Sequence, residues 1–192
     1  MPVLETERLF VRPFRLDDLE ACHRLFDLEA WQTGKTPDQR RVWLEWTVLA
    51  YEALADLRQP PYGDRAVCLK ATGELVGSVG LVPSLGPFDR LESFGGDRSA
   101  TFLRPEMGLF WATRTAHLRK GYATEAAGSL IEYAFSELTL ARVIAMTTYE
   151  NAASQAVMRK LGMHIERNPL PDPPWFQVVG VLANPSLSGE TP

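Results

Sequence analysis

Hydrophobic and polar positions alternate at the start of the chain and then change period. In RLFVRPF (8–14), Leu9, Val11 and Pro13 fall on one side and Phe10 and Arg12 on the other, the period-two pattern of a strand. Residues 15–27, RLDDLEACHRLFD, space Leu16, Leu19, Cys22, Leu25 and Phe26 as one face of a short amphipathic helix with acids early. A longer helix is predicted from Thr36 as N-cap, with Pro37 first in the helix and Gln39 as reciprocal capping partner. Val42, Trp46, Leu49, Ala50, Ala53 and Leu57 form its apolar face, and RQPPYG (58–63) ends it. Residues 65–84 read as a hairpin turning at ATGE, 85–102 as a loop or an extension of the next hairpin, and 105–114 as a strand. A helix from about Gly121 to Glu137, a β-branched strand over 141–149 and a helix over 151–162 closed by Gly162 follow. Two strands, 163–167 and 175–183, joined by the proline-rich NPLPDPP, complete the pattern.

This order predicts an α/β (α+β) layer around one mixed, mostly antiparallel central sheet of about seven strands flanked by about four helices, with a single βαβ step late in the chain. One domain over 1–183 is expected. Residues 184–192, rich in Pro, Ser and Gly, read as a flexible tail.

Composition narrows the classes. The 192 residues are 45% hydrophobic and 23% charged, enough for a real core, and the formal net charge of -4 argues against a nucleic-acid binder relying on a basic surface. Charged Glu5, Glu7 and Arg8 interrupt any leader-like apolar run, and no run approaches the roughly 18 residues of a membrane span. Cys22 and Cys68 sit among apolar residues and read as buried reduced thiols. His23, His117 and His164 lack ligand spacing, so no metal is expected. A cytoplasmic protein is the expectation.

The chemistry concentrates in HLRKGYATEAAGSLIEYAF (117–135). A helix start leaves its first N–H groups unpaired and carries about half a positive charge, which together suit phosphate. Gly121 and Ala123 clear room for close approach, Thr124 offers a hydroxyl, and Arg119 and Lys120 add positive charge. The Gly-Lys-Ser/Thr ending of a Walker loop and the three glycines of a dinucleotide fingerprint are both missing. The bland alternative is a turn glycine beside solvated cations.

The window LRKGYA, Leu118 to Ala123, resembles the acetyl-CoA pyrophosphate loop of the GNAT superfamily, Arg/Gln-x-x-Gly-x-Gly/Ala. GYATEA is close to the form common in the branch of the ribosomal-protein N-terminal (RimJ/RimL-type) acetyltransferases. LETERLFVRPFRLDDLE (4–20), PEMGLFWA (105–112) and YENAASQAVMRKLGM (149–163) resemble that branch's opening strand and helix, fourth strand and final helix. Leu118 stands where the family often has Arg or Gln, and Arg119 where Gly is frequent.

The resemblance implies acetyl-CoA as donor and a primary amine as acceptor, either a small molecule or a protein N-terminus, with a homodimer suggested. Trp111, Ala112 and Thr113 would hydrogen-bond the pantetheine arm through their main chain. Leu118, Arg119, Lys120, Gly121, Tyr122, Ala123 and Thr124 would hold the diphosphate. Glu106 would take the amine proton, and its bland reading is a strand-end surface acid. Asn151 would bond the pantetheine arm, cap its helix, or do both, and Ser154 would protonate the departing thiolate. Arg159 could reach the nucleotide phosphates, or be solvated. Phe14, Trp31 and Trp46 would wall the acceptor side or simply fill helix core. The competing class is a non-catalytic acyl-CoA sensor or interaction module on the same fold.

Overall fold

The computed structural model describes residues 1–188. Among them are eight strands, β1 Leu4–Glu5, β2 Leu9–Pro13, β3 Gly63–Leu69, β4 Leu75–Gly86, β5 Arg104–Thr113, β6 Arg142–Thr147, β7 His164–Arg167 and β8 Val178–Ala183. The α-helices are α1 Leu19–His23, α2 Pro37–Asp56, α3 Tyr122–Ser136 and α4 Ala152–Lys160. The strands form one sheet in the order β1-β2-β3-β4-β5-β6-β8-β7. The pairs β1/β2, β2/β3, β3/β4, β6/β8 and β7/β8 run antiparallel. β5 and β6 are parallel, registered at Gly108↔Ile144, and the α3 crossover between them is the late βαβ step. The eighth strand, β1, is two residues long and pairs Leu4 with Val11; it is too short to leave a periodic trace.

The chain divides into two compact units, Met1–Leu81 with Trp111–Leu130, and Val82–Phe110 with the chain from Ile131 onward. In the first, Leu9 and Val11 are buried as the alternation requires. Phe14, Cys22, Leu25, Phe26, Leu44 and Cys68 form the core there. Both cysteines are free thiols, and burial pushes Cys22 up to about 12. The helix predicted over 15–27 breaks into a 3-10 turn at Leu16–Asp18, α1, and a wide π-helical stretch, Arg24–Ala30. Asp18 causes the first break: it accepts from the Arg15 N–H at 2.8 Å and from both arms of the Arg12 guanidinium at 2.7 and 2.8 Å.

α2 begins as predicted, with the Thr36/Gln39 capping box closed and Pro37 first. Its apolar face is corrected. Val42, Trp46, Leu49 and Leu57 are 63–69% exposed, while Arg40, Leu44, Thr47 and Leu54 turn inward. The inward face is semi-polar because Arg40 has a buried partner in Asp27 and Tyr51 donates to the Asp64 carbonyl, so hydrophobicity alone points the wrong way.

In the second unit, Phe88, Leu91, Ile144, Phe176, Val179 and Val181 make the core. The segment after β4 folds into two 3-10 turns, Phe88–Arg90 and Glu92–Phe94. Glu166 fastens the second turn by accepting from the Glu92 and Ser93 N–H groups at 2.6 and 3.1 Å. Arg90 ties the same segment to the proline-rich loop, donating to the Asp172 carbonyl at 2.7 Å. The structure describes the first five positions of the expected tail. Asn184 is buried, its N–H bonded to the Ala141 carbonyl at 2.8 Å and its amide to the Leu140 carbonyl at 3.0 Å, and Pro185–Ser188 form a 3-10 turn. Positions 189–192 lie outside the described residues.

Candidate functional site

In the first unit the end of β5 and the start of α3 border one shallow, solvent-open hollow. Gly77 of β4 lets the β5 main chain close in, since a Cβ there would lie 2.5 Å from the Ala112 carbonyl oxygen. Ala112, Thr113, Tyr122 and Ala123 line the hollow with Gly77, so the predicted main-chain arm and the predicted cradle share one surface. Trp111, half-buried, precedes them on the strand.

The cradle is a turn with two left-handed residues. Leu118 is extended, Arg119 has φ 60° and Gly121 φ 84°. Arg119 takes this conformation at a cost of roughly 1 kcal/mol that glycine would not incur, which accounts for glycine at that place in the resembling loops. The first α-helical bond runs from the Glu125 N–H to the Gly121 carbonyl at 3.0 Å. Tyr122, Ala123 and Thr124 therefore present N–H groups that no protein acceptor takes among the described residues. Leu118, Arg119, Lys120 and Gly121 are exposed, and Thr124 is half-buried.

Both flanks of this turn are braced. Upstream, Glu29 accepts from the Thr115 N–H at 2.6 Å, and Arg114 pairs with Glu74 at 2.7 Å. Downstream, Arg8 donates to the Lys120 carbonyl at 3.0 Å and pairs with Glu125 at 2.6 Å. Sequence reasoning missed Arg8, Thr6 and Glu125, because partners 117 positions apart leave no spacing signal.

Of the aromatic residues, Phe14 and Trp31 belong to one cluster: Phe14 packs on Trp43 at 5.6 Å and Trp31 stacks on Phe26 at 4.6 Å. Trp46 makes none of these ring contacts and lies on the exposed stripe of α2.

The second unit carries the remaining predicted groups. The Glu106 side chain is 8% exposed and faces Arg104 at 3.0 Å and Arg142 at 3.2 Å, one guanidinium on each oxygen. Both guanidiniums also lie over the Phe94 ring, at 5.4 and 4.7 Å. Asn151 caps α4, its side-chain oxygen accepting from the Ser154 N–H at 3.0 Å, which leaves its amide N–H groups as donors. The half-buried Ser154 hydroxyl makes no hydrogen bond among the described residues. Arg159 is exposed in the last turn of α4.

A family model described as "Acetyltransferase (GNAT) domain" matches residues 8–164. The chain belongs to the GNAT acetyltransferase family. Two Bacillus subtilis (strain 168) relatives are the uncharacterized N-acetyltransferase YoaA, 28% identical over 86% of this chain and 84% of YoaA, and the uncharacterized N-acetyltransferase YnaD, 45% identical over 29% of this chain. That second match spans only 33% of YnaD's length. Among solved GNAT structures, an acetyltransferase from Bacillus anthracis superposes at a TM-score of 0.69, with 23% identity, covering 96% of this chain and 99% of that one. Mycobacterium smegmatis RimJ in complex with CoA-disulfide superposes at 0.63, with 20% identity, covering 93% and 83%. These GNAT structures share the mixed α/β fold. No helix among the described residues is long and apolar enough to cross a membrane.

Proposed function

We propose that this GNAT chain transfers the acetyl group of acetyl-CoA to a primary amine, a protein N-terminus or a small amine, by direct attack. The observation that carries the reading is the open turn at Gly121 with three unpaired N–H groups behind it. Diphosphate supplies the acceptors those donors lack, and the positive end of α3 favours its charge. Main-chain groups of Trp111, Ala112 and Thr113 would receive the pantetheine arm, and Arg119 and Lys120 would add charge at the mouth. RimJ's complex with CoA-disulfide supports the donor by analogy of fold.

In this mechanism the acceptor's ammonium loses a proton to Glu106, directly or through water, and the neutral amine attacks the thioester carbonyl. The C–S bond breaks, the Ser154 hydroxyl gives its proton to the departing thiolate, and the second proton of the attacking nitrogen returns through water to the Ser154 oxygen, leaving the neutral amide. The Asn151 amide bonds the arm. Trp31 would belong to the acceptor wall with the buried Phe14 as its backing, and Trp46 would contribute only from the outer face of α2. Free buried thiols suit a reducing, cytoplasmic setting.

Ser154→Ala is expected to lower kcat by about 100-fold while leaving the acetyl-CoA Kd within about 2-fold. Calorimetry with acetyl-CoA and a thiol-release assay over N-terminal peptides, polyamines, amino acids and aminoglycosides measure both. Unchanged turnover removes Ser154 from the acid's role, and absence of acetyl-CoA binding by the unaltered protein ends the reading. One observation favours the non-catalytic acyl-CoA module instead: both Glu106 oxygens are engaged by guanidiniums. Tight binding without turnover across that panel would establish it.

A further inference from the structure

Glu125 is an acid in the first turn of α3, beside the place where the proposal seats a diphosphate. A first-turn glutamate ordinarily helps its helix, by its charge at the positive end or by folding back onto unpaired N–H groups. In an anion site both habits are harmful. The carboxylate would repel the ligand or occupy its donors.

Here the carboxylate is turned away from the helix. Its Oε1 accepts from the Thr6 hydroxyl at 2.5 Å and the Arg8 N–H at 2.9 Å, and its Oε2 accepts from Arg8 Nε at 2.7 Å. Arg8 Nη2 lies 2.6 Å from the same Oε2. With its lone pairs taken by residues 6–8, Glu125 leaves the N–H groups of Tyr122, Ala123 and Thr124 for a ligand. Arg8 reaches the turn as well. Nη1 holds the Lys120 carbonyl at 3.0 Å, the guanidinium lies 4.7 Å from the Tyr122 ring centre, and Nη2 would sit 3.3 Å from any Cβ at Gly121. One side chain thus fixes the turn's carbonyl and neutralises the acid behind it.

We infer that Arg8 is a positioning residue for the donor's diphosphate, acting by neutralising Glu125 and fastening the Lys120–Tyr122 turn; this rests on the acetyl-CoA reading above. The acid is the sensitive part of the device. Without the Arg8 guanidinium, Glu125 keeps the Thr6 hydroxyl and the residue-8 N–H but stands as an unneutralised anion at the cradle, so its removal should repair what the loss of Arg8 breaks.

Arg8→Ala is expected to weaken acetyl-CoA binding about 20-fold, because it uncovers a like charge as well as removing a cation. S-acetylpantetheine, a donor without diphosphate, should keep its kcat/KM within about 2-fold in the same variant. Arg8→Ala/Glu125→Gln should bind acetyl-CoA within about 3-fold of the unaltered protein, a coupling that mere loss of packing does not produce. Equal loss toward both donors, or a double variant no better than the single one, overturns the inference. If Arg8→Ala does not fold, Arg8→Lys serves. It keeps the charge, gives up the fork, and is expected to weaken acetyl-CoA about 5-fold with S-acetylpantetheine unaffected, and an unaltered Kd overturns the inference. Failure of the unaltered protein to bind acetyl-CoA would strike the underlying reading; normal binding with variants indifferent to Arg8 strikes this inference alone.

Discussion

Gly121→Asp is expected to weaken acetyl-CoA binding by about 100-fold, the larger part of it electrostatic. The glycine has φ 84° and opens the turn whose next three N–H groups are unpaired. An aspartate tolerates the left-handed region better than most residues, so the backbone by itself does not exclude it. Its carboxylate, however, would project from the spot meant for the diphosphate, and its Cβ would press on Arg8 at 3.3 Å. At an effective dielectric of about 20, like charges some 4 Å apart repel by roughly 4 kcal/mol, and salt at the open mouth reduces that. Gly121→Asn separates the contributions: it has the same shape and backbone tolerance without the charge, and should weaken binding by no more than about 10-fold. Calorimetry on the two variants, with S-acetylpantetheine turnover as the control donor, measures the difference. If aspartate and asparagine bind acetyl-CoA as tightly as glycine, no diphosphate sits at this turn.

What could be read from the sequence was whatever depends on neighbours in the chain. The capping box at Thr36 and Gln39 sits three residues apart and was legible. So were the start of α3 behind a glycine turn and the Asn151 cap of α4, because a helix end is satisfied or left open by groups within one turn. The inward face of α2 was not. Its apolar stripe is solvent-exposed, and its buried face is held by Arg40, whose partner Asp27 belongs to an earlier turn that no helical periodicity connects to it. The candidate site divides the same way. The open glycine turn was visible as residues 118–124, whereas the Arg8–Glu125 pair beside it joins distant positions. Glu106 was legible as a carboxylate near the start of a strand. Of its two arginine partners, Arg104 stands two positions earlier on the same strand, whereas Arg142 on β6 is brought in by the parallel pairing at Gly108↔Ile144.

Asp27→Ala should give the largest loss of stability, about 3–5 kcal/mol, or roughly a 10 °C fall in Tm. The Asp27 side chain is 0% exposed and that of Arg40 only 3%. Arg40 grips the carboxylate with Nε at 2.8 Å and Nη2 at 2.6 Å, while the Thr33 hydroxyl also donates to it and His23 Nδ1 lies 2.9 Å away. The guanidinium also lies against two rings, 4.9 Å from the ring centres of both Phe26 and Trp43. Alanine would strand that cation in the aromatic cluster, whereas Asp27→Leu with Arg40→Met removes both charges and should recover most of the loss. Burial pushes the Asp27 carboxyl up, but hydrogen bonds from Arg40, Thr33 and His23 outweigh it and hold the group at about 2 instead of 3.8. A folded-state value below the unfolded one means that the ionised form stabilises the fold. That contribution is complete above 3.8 and drains away as the pH falls toward about 2. Urea unfolding between about pH 5 and pH 2 should therefore show a steeper loss for the unaltered protein than for Asp27→Asn, and equal slopes would mean the pair does not carry the acid sensitivity. The same cluster holds Trp31 through its stack on Phe26. If that wall receives the acceptor, Asp27→Asn raises the acceptor KM and spares the acetyl-CoA Kd, because the turn proposed for the diphosphate is held by Arg8, Glu29 and Glu74.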